Sequence, residues 1–187
     1  LFSIITDGTK PVDIQYKNMS SLKIHFLGAS GTVTGSKFIL ETPNYNIMIY
    51  CGMFQGLKEL REKNWKDLAF DISKIDAVLL THGHLDHTGY LPRLLKQGFQ
   101  GKIIATEPTL AITKIILLDS AKINEEEAEK ANKENYSKHH PALAFYTLKD
   151  AENAIRKFNP VKVEEWQWLT KNIKFRFLYN GHIIGAS

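Results

Sequence analysis

Apolar and polar positions alternate along this chain in blocks whose period changes, and each change marks an element. Residues 22–27, 37–41 and 46–50 are short, apolar and rich in β-branched or aromatic types, which predicts three strands, the last two joined across Pro43-Asn44. Residues 57–70 are charged and amphipathic, with Leu57, Leu60, Trp65 and Leu68 expected inside and the alternating Lys, Glu and Arg on a solvated face. The apolar run 75–81 reads as a buried strand. Residues 88–97 then place Tyr90, Leu91, Leu94 and Leu95 at helical spacing and stop at Gly98.

A strand over 102–105 leads into a long helix with Thr106 as N-cap and Pro108 in its first turn. Leu110, Ile112, Ile115, Ile116 and Leu118 give that helix a wide apolar face, and Glu126/Lys130 and Glu129/Lys133 support its later turns. Thr147 opens a further helix with Asp150 in the capping-box position. Two β-type runs, 161–168 and 173–179, follow with a turn at Lys171-Asn172. Strands and helices in this order predict an α/β fold (α+β layered) with a mixed sheet. Residues 1–18 show no period and Met19 stands just before the first strand, so 1–18 read as a leader or non-native extension and 19–187 as the folded part.

Composition changes this picture little. A chain of 187 residues, 43% apolar and 24% charged, can bury a core of its own, and no apolar run approaches the roughly 18 residues of a membrane span. Cys51 stands alone, which excludes an intrachain disulfide and makes a reducing compartment, the cytoplasm, the expected location. The net charge of +4 is compatible with a polyanionic substrate.

Candidate chemistry is concentrated in His82-Gly83-His84-Leu85-Asp86-His87. Three imidazoles and a carboxylate in six residues sit where a predicted strand hands over to a helix. A tight loop there can turn His82 and His84 towards one point while Asp86 and His87 face a second. Imidazole and carboxylate are usual zinc ligands, so the pattern signals a dinuclear metal site. His182, between a strand end and the Gly-rich ending 180–187, can point back at the first of these points. His139 and His140 lie in a polar break and read as solvated. The segment 28–36 is turn-rich but lacks the Lys-Ser/Thr ending of a phosphate-cradling loop and leads into a strand, so it reads as a strand connection edging the site.

His82, His84, Asp86 and His87 match the H-x-H-x-D-H signature, and with it the chain resembles the metallo-β-lactamase superfamily. Segments 26–36, 51–56, 118–128 and Tyr146-Thr147 resemble the β-CASP nucleases, and 180–185 is similar to that family's third metal motif. The nearest group is the RNA-processing branch related to the mRNA 3′-end cleavage factor nuclease subunit. The resemblance covers residues 22–187. It implies a metallo-β-lactamase-like αββα sandwich, of which this chain supplies the first half only, and hydrolysis of RNA phosphodiester bonds by a dizinc-activated hydroxide. On that analogy His82, His84 and His182 hold one zinc, Asp86 and His87 begin the second site, and Asp86 also orients the hydroxide.

Two departures from the family pattern matter. The aspartate that the family carries before Cys-Gly, where it supports the metal ligands from behind, is Tyr50 here. The metal-bridging aspartate, the inserted β-CASP domain and a further histidine are absent, so the chain reads as the N-terminal part of a longer enzyme. Two zinc ions are expected in that enzyme and about one in this chain, which by itself is expected to be inactive on RNA. An uncovered sheet face would favour association, a homodimer being one form of it. DNA is the alternative polymer. The rival functions are a non-catalytic RNA-processing subunit with a weakened metal site, which Tyr50 favours, and a small-molecule metallo-hydrolase of the same superfamily.

Overall fold

The computed structural model describes residues 22–187; the reading of 1–18 as a leader and of Met19 as a start lies outside the described residues. Six strands make one mixed sheet in sequence order: β1 (Lys23–Gly28), β2 (Lys37–Thr42), β3 (Tyr45–Ile49), β4 (Ala77–Leu79), β5 (Lys102–Thr106) and β6 (Phe158–Val161). The first two pairings are antiparallel and the last three parallel. Thr42 opposes Tyr45 across Pro43-Asn44, the connection expected from the sequence. Two further strands, β7 (Gln167–Thr170) and β8 (Ile173–Phe175), form a separate antiparallel hairpin. The helices are α1 (Lys58–Lys63), α2 (Leu85–Thr88), α3 (Leu91–Lys96), α4 (Glu107–Glu134) and α5 (Leu148–Ile155).

The alternation of side chains along a strand divides the sheet into two faces. Ile39, Met48, Val78, Ile103 and Ala105 point to the face covered by helices, where they meet Leu91, Leu94, Leu110, Leu117 and Tyr146. Ile47, Ala77, Leu79 and Ile104 point to the other face, where Leu169, Ile173, Phe175 and Phe177 lie over them. All three residues of β4 are therefore buried, which is why this stretch is uniformly apolar instead of alternating.

Several boundaries differ from the sequence reading for identifiable reasons. The helix expected over 88–97 is shorter: α3 starts at Leu91, after a break at Gly89-Tyr90 that separates it from α2, and Pro92 sits in its first turn, where its missing N–H costs nothing. The run 161–168 is mostly a turn: Val161 ends β6, which pairs in parallel with β5 at the sheet edge where Pro160 is tolerated, and β7 begins only at Gln167. Leu57 and Trp65, expected inside, are 72% and 49% exposed. The residue that anchors this segment is Asn64, whose amide bonds both the N–H and the carbonyl of Phe54, each at 2.8 Å.

The α4 helix starts as the sequence predicts, with the Thr106 hydroxyl accepting from the Thr109 N–H at 3.3 Å. Its buried stripe, however, runs through Leu110, Thr113, Leu117, Ser120 and Ala121. Of the predicted apolar face only Leu110 is fully buried, and Ile115 is 64% exposed. Small side chains let the helix approach the sheet closely, and Thr113 meets its own polarity by donating to the Thr109 carbonyl at 2.8 Å. The capping box of Thr147 and Asp150 is present as expected.

The β7–β8 hairpin covers the middle of its sheet face and leaves the β1 end bare. Ile24 and Phe26 are 58% and 64% exposed there, and Trp168 on the hairpin is 63% exposed. Apolar area of this kind drives association. A protein limited to these residues is expected to self-associate in sedimentation, and Ile24→Lys combined with Trp168→Ser to shift it towards monomer. A monomeric, cooperatively unfolding wild type would contradict this.

Candidate metal centre

The C-terminal end of β4 and the turn that follows carry most of the site. After Leu80, whose N–H bonds the Ile104 carbonyl at 3.0 Å, the chain leaves the sheet and passes through His82 and Gly83 to His84. His84 is the extended residue before α2, a single helical turn. That turn closes through the His87 N–H on the His84 carbonyl at 3.0 Å and the Thr88 hydroxyl on the same carbonyl at 2.9 Å. It projects Asp86 and His87 beside His84.

Neighbouring strand ends grip this turn by its backbone. The Ser36 N–H donates to the Asp86 carbonyl at 2.9 Å, and the Cys51 N–H to the His87 carbonyl at 2.8 Å. Gly52 lies so close that a Cβ there would stand 1.6 Å from the Asp86 carbonyl oxygen, so only glycine fits. On the opposite side Gly83 is pressed against Ile112 of α4.

His182 arrives from a separate loop, pinned to the same place. The Ser187 N–H donates to the Thr81 carbonyl at 2.9 Å. The hydroxyls of Thr106 and Thr109 both donate to the Gly185 carbonyl, at 3.0 and 2.6 Å. These contacts set His182 Nε2 3.2 Å from His84 Nδ1.

The result is two ligand groups sharing one residue. His82, His84 and His182 form the first, and His84, Asp86 and His87 the second, with the donor atoms of each group within 4.8 Å of one another. Ligands at about 2.0–2.1 Å from one tetrahedral zinc stand roughly 3.3 Å apart, so small side-chain rotations suffice to close either group on an ion. The sequence assigned His84 to the first point only; the structure places it between the two.

Polar accounting supports a metal. His82 Nε2 and His87 Nδ1 are buried and have no hydrogen-bond partner, a costly state for ring nitrogens that a cation would relieve. His87 Nδ1 lies 3.1 Å from Asp86 Oδ1, but without the alignment of a hydrogen bond. Burial, reinforced by the neighbouring imidazoles of His87, His182 and His84, lowers the His82 pKa to about 4. Burial also lowers that of His87, against the opposing pull of Asp86. Neutral imidazole is the form that binds metal.

Behind the ligands stands a chain of hydroxyls. Thr81 Oγ1 is 2.9 Å from His82 Nδ1 and 3.0 Å from the Tyr50 hydroxyl. With Nδ1–H donating to Thr81, the His82 lone pair is left on Nε2, the orphaned atom that faces the cluster. Tyr50 itself has φ of +60°, a left-handed conformation rarely adopted by aromatic residues, and its ring stands edge-on to His87 at 4.6 Å. Ser36 Oγ lies 3.3 Å from His87 Nε2. Sequence reasoning assigned no site role to Thr81 or Ser36; the place of Thr81 directly before the motif was the one available signal. His139 and His140 are exposed and outside both ligand groups.

Comparison with known proteins gives this architecture its class. The model of the metallo-beta-lactamase superfamily matches residues 31–170, and the chain belongs to that superfamily. Its relatives include ribonuclease TTHA0252 of Thermus thermophilus, 34% identical over 166 residues, which cover 89% of this chain and 34% of that protein. The Integrator complex subunit 11 homolog of Dictyostelium discoideum is 33% identical over 175 residues, covering 89% of this chain and 22% of that one. Transcription termination factor FttA of Methanocaldococcus jannaschii is 27% identical over 175 residues, covering 94% and 26%. The chain thus spans 22–34% of the length of these relatives, and the resemblance to RNA-processing members of the superfamily is borne out. Among solved structures, BJP-1, a subclass B3 metallo-β-lactamase of Bradyrhizobium japonicum, shares the fold with a TM-score of 0.50 and 21% identity, over 90% of this chain and 53% of that one.

If Thr81 fixes the His82 tautomer, removing its hydroxyl should weaken metal binding without unfolding the chain. Thr81→Val is expected to lower zinc affinity about 10–100-fold, and Thr81→Ser to retain it. Competition with a chromophoric chelator measures both, and equal affinity in Thr81→Val would show that the hydroxyl is not needed.

Proposed function

We propose that the protein is a zinc-dependent ribonuclease that hydrolyses RNA phosphodiester bonds. The observation that carries this reading is the convergence of His82, His84 and His182, and of His84, Asp86 and His87, around two buried ring nitrogens that no protein group satisfies. The relative named as a ribonuclease supports RNA as the substrate.

His82, His84 and His182 would hold one ion, and Asp86 and His87 would begin the second site. When bound, paired cations acidify water at neutral pH and offset charge on the attacked phosphate. Asp86, grouped with His84 and His87, would also orient the attacking water through its carboxylate. Thr81 and Tyr50 hold His82 from behind, and Ser36 holds His87. The intact ligand set speaks against a non-catalytic subunit, and the Tyr50 hydroxyl still reaches the site through Thr81.

Among the described residues no helix is long and apolar enough to cross a membrane. A cytoplasmic location is the reading that fits the single cysteine, and a homodimer the one that fits the bare β1 face.

With three imidazoles in the first group and two ligands beyond them, the 187-residue chain is expected to retain about one zinc after dialysis, by elemental analysis, and His84→Ala to lose it. The full-length protein should cleave RNA only when metal-loaded, and with His84→Ala should not. Cleavage that survives chelation, or cleavage of DNA alone, would refute the assignment. Tyr50→Asp in the full-length protein is expected to raise zinc affinity or cleavage rate on the order of tenfold, since a carboxylate adds negative charge behind the ligands. A loss instead would show that the phenol has its own role.

A further inference from the structure

Lys37 is the first residue of β2 and one of the largest fully buried side chains in the protein, at 1% exposure. Its ammonium group makes one long hydrogen bond, to the Gly35 carbonyl at 3.4 Å. Otherwise it sits between two aromatic faces, 4.6 Å from the centre of the Phe54 ring and 4.8 Å from that of Tyr90. None of the ion pairs among the described residues includes it. Burial lowers its pKa to about 8, which leaves it charged at neutral pH. A core that needed only bulk here would be better served by Met, because a buried ammonium without a counterion is costly.

Lys37 lines a cavity of about 340 Å³ between the β1–β2 loop, Phe54 and the end of α1. Lys63 and Lys66 also line it, with one acidic residue, Asp67, so its lining holds three lysines against one carboxylate. Lys63 Nζ stands over the same Phe54 ring as Lys37, at 5.6 Å. Neither Lys63 nor Lys66 is ion-paired among the described residues. Like charges so close repel each other, and a bound anion would offset that repulsion. The volume is at the small end of ligand sites, about 300–1,000 Å³, and exceeds what a bare phosphate fills.

The cavity lies at the same end of the sheet as the histidine cluster. Ser36, the residue before Lys37, faces His87. The geometry points to a nucleotide subsite: the cavity takes a phosphate group with its attached nucleoside, the phosphate between Lys37 and the rim lysines. The source is either a nucleotide flanking the cleaved bond of an RNA strand or a free mononucleotide. The strand as source rests on the nuclease reading; the subsite itself does not.

The test uses full-length protein stripped of metal by a chelator, with adenosine 5′-monophosphate, adenosine and a short oligoribonucleotide titrated calorimetrically. Binding of the monophosphate but not of adenosine identifies a free-nucleotide site, and binding of the oligonucleotide alone identifies the strand. In either case Lys37→Met is expected to weaken it about 10–100-fold, the range for losing hydrogen bonds to a charged group. The titrations are made without metal, so failure here leaves the metal-centre reading untouched, and Lys171→Met, on the β7–β8 turn outside the cavity lining, should bind as wild type does. Lys63→Met with Lys66→Met, both exposed, should weaken binding severalfold and decides the question if Lys37→Met does not fold. Unchanged affinity in a folded Lys37→Met variant, or no binding of either phosphate-bearing ligand, overturns the proposal.

Discussion

The backbone of one short helical turn, Leu85–Thr88, is the part on which the rest of the site depends. Its carbonyls at Asp86 and His87 accept N–H groups from Ser36 and Cys51, at the ends of two different strands. Gly52 completes the grip by bringing its Cα where any side chain would collide with the Asp86 carbonyl. Backbone hydrogen bonds hold donor and acceptor within a narrow range of distance, about 2.7–3.2 Å. The candidate ligand side chains consequently leave a turn held by two neighbouring strand ends. Rigid support of that sort is what a metal centre needs, since coordination tolerates little error in distance.

A second layer of constraint comes from hydroxyl groups. Thr81, Thr106 and Thr109 tie the loop bearing His182 to the loop bearing His82 through the carbonyls of Thr81 and Gly185. Thr81 also links His82 to Tyr50. Neutral donors and acceptors do this work without placing further charge in a region where burial already pushes the imidazoles towards their neutral form. A tyrosine before Cys51-Gly52 is compatible with such a network because its hydroxyl reaches Thr81 from a left-handed backbone.

Layering explains the distribution of apolar surface. Helices α3, α4 and α5 cover one sheet face, so the residues beneath them are fully buried. On the other face the β7–β8 hairpin reaches only the central strands, and the apolar side chains of β1 remain exposed. Lys37 is the exception inside the covered layer: a charge held among aromatic rings at the end of the sheet where the metal ligands gather.

The sequence by itself determined the ligand types, because His82, His84, Asp86 and His87 lie within six residues and the flanking periods place them between a strand and a helix. Strand order in the hairpin over Pro43-Asn44, the Thr106 cap and the Thr147–Asp150 capping box were equally legible, since each is set by neighbours a few residues apart. His182 was visible only as a candidate, and its meeting with His84 across 98 positions was decided by long-range hydrogen bonding to Thr81, Thr106 and Thr109. Tertiary structure likewise decided that His84 stands between the two ligand groups and that Thr81 is backed by Tyr50. It also buried the α4 stripe through Thr113 and Ser120 instead of Ile115, and Lys37 in place of Leu57 and Trp65. Local periodicity reports which residues prefer water on average. Which of them lose it depends on what the fold brings against each face, and that is fixed by contacts between segments far apart in the chain.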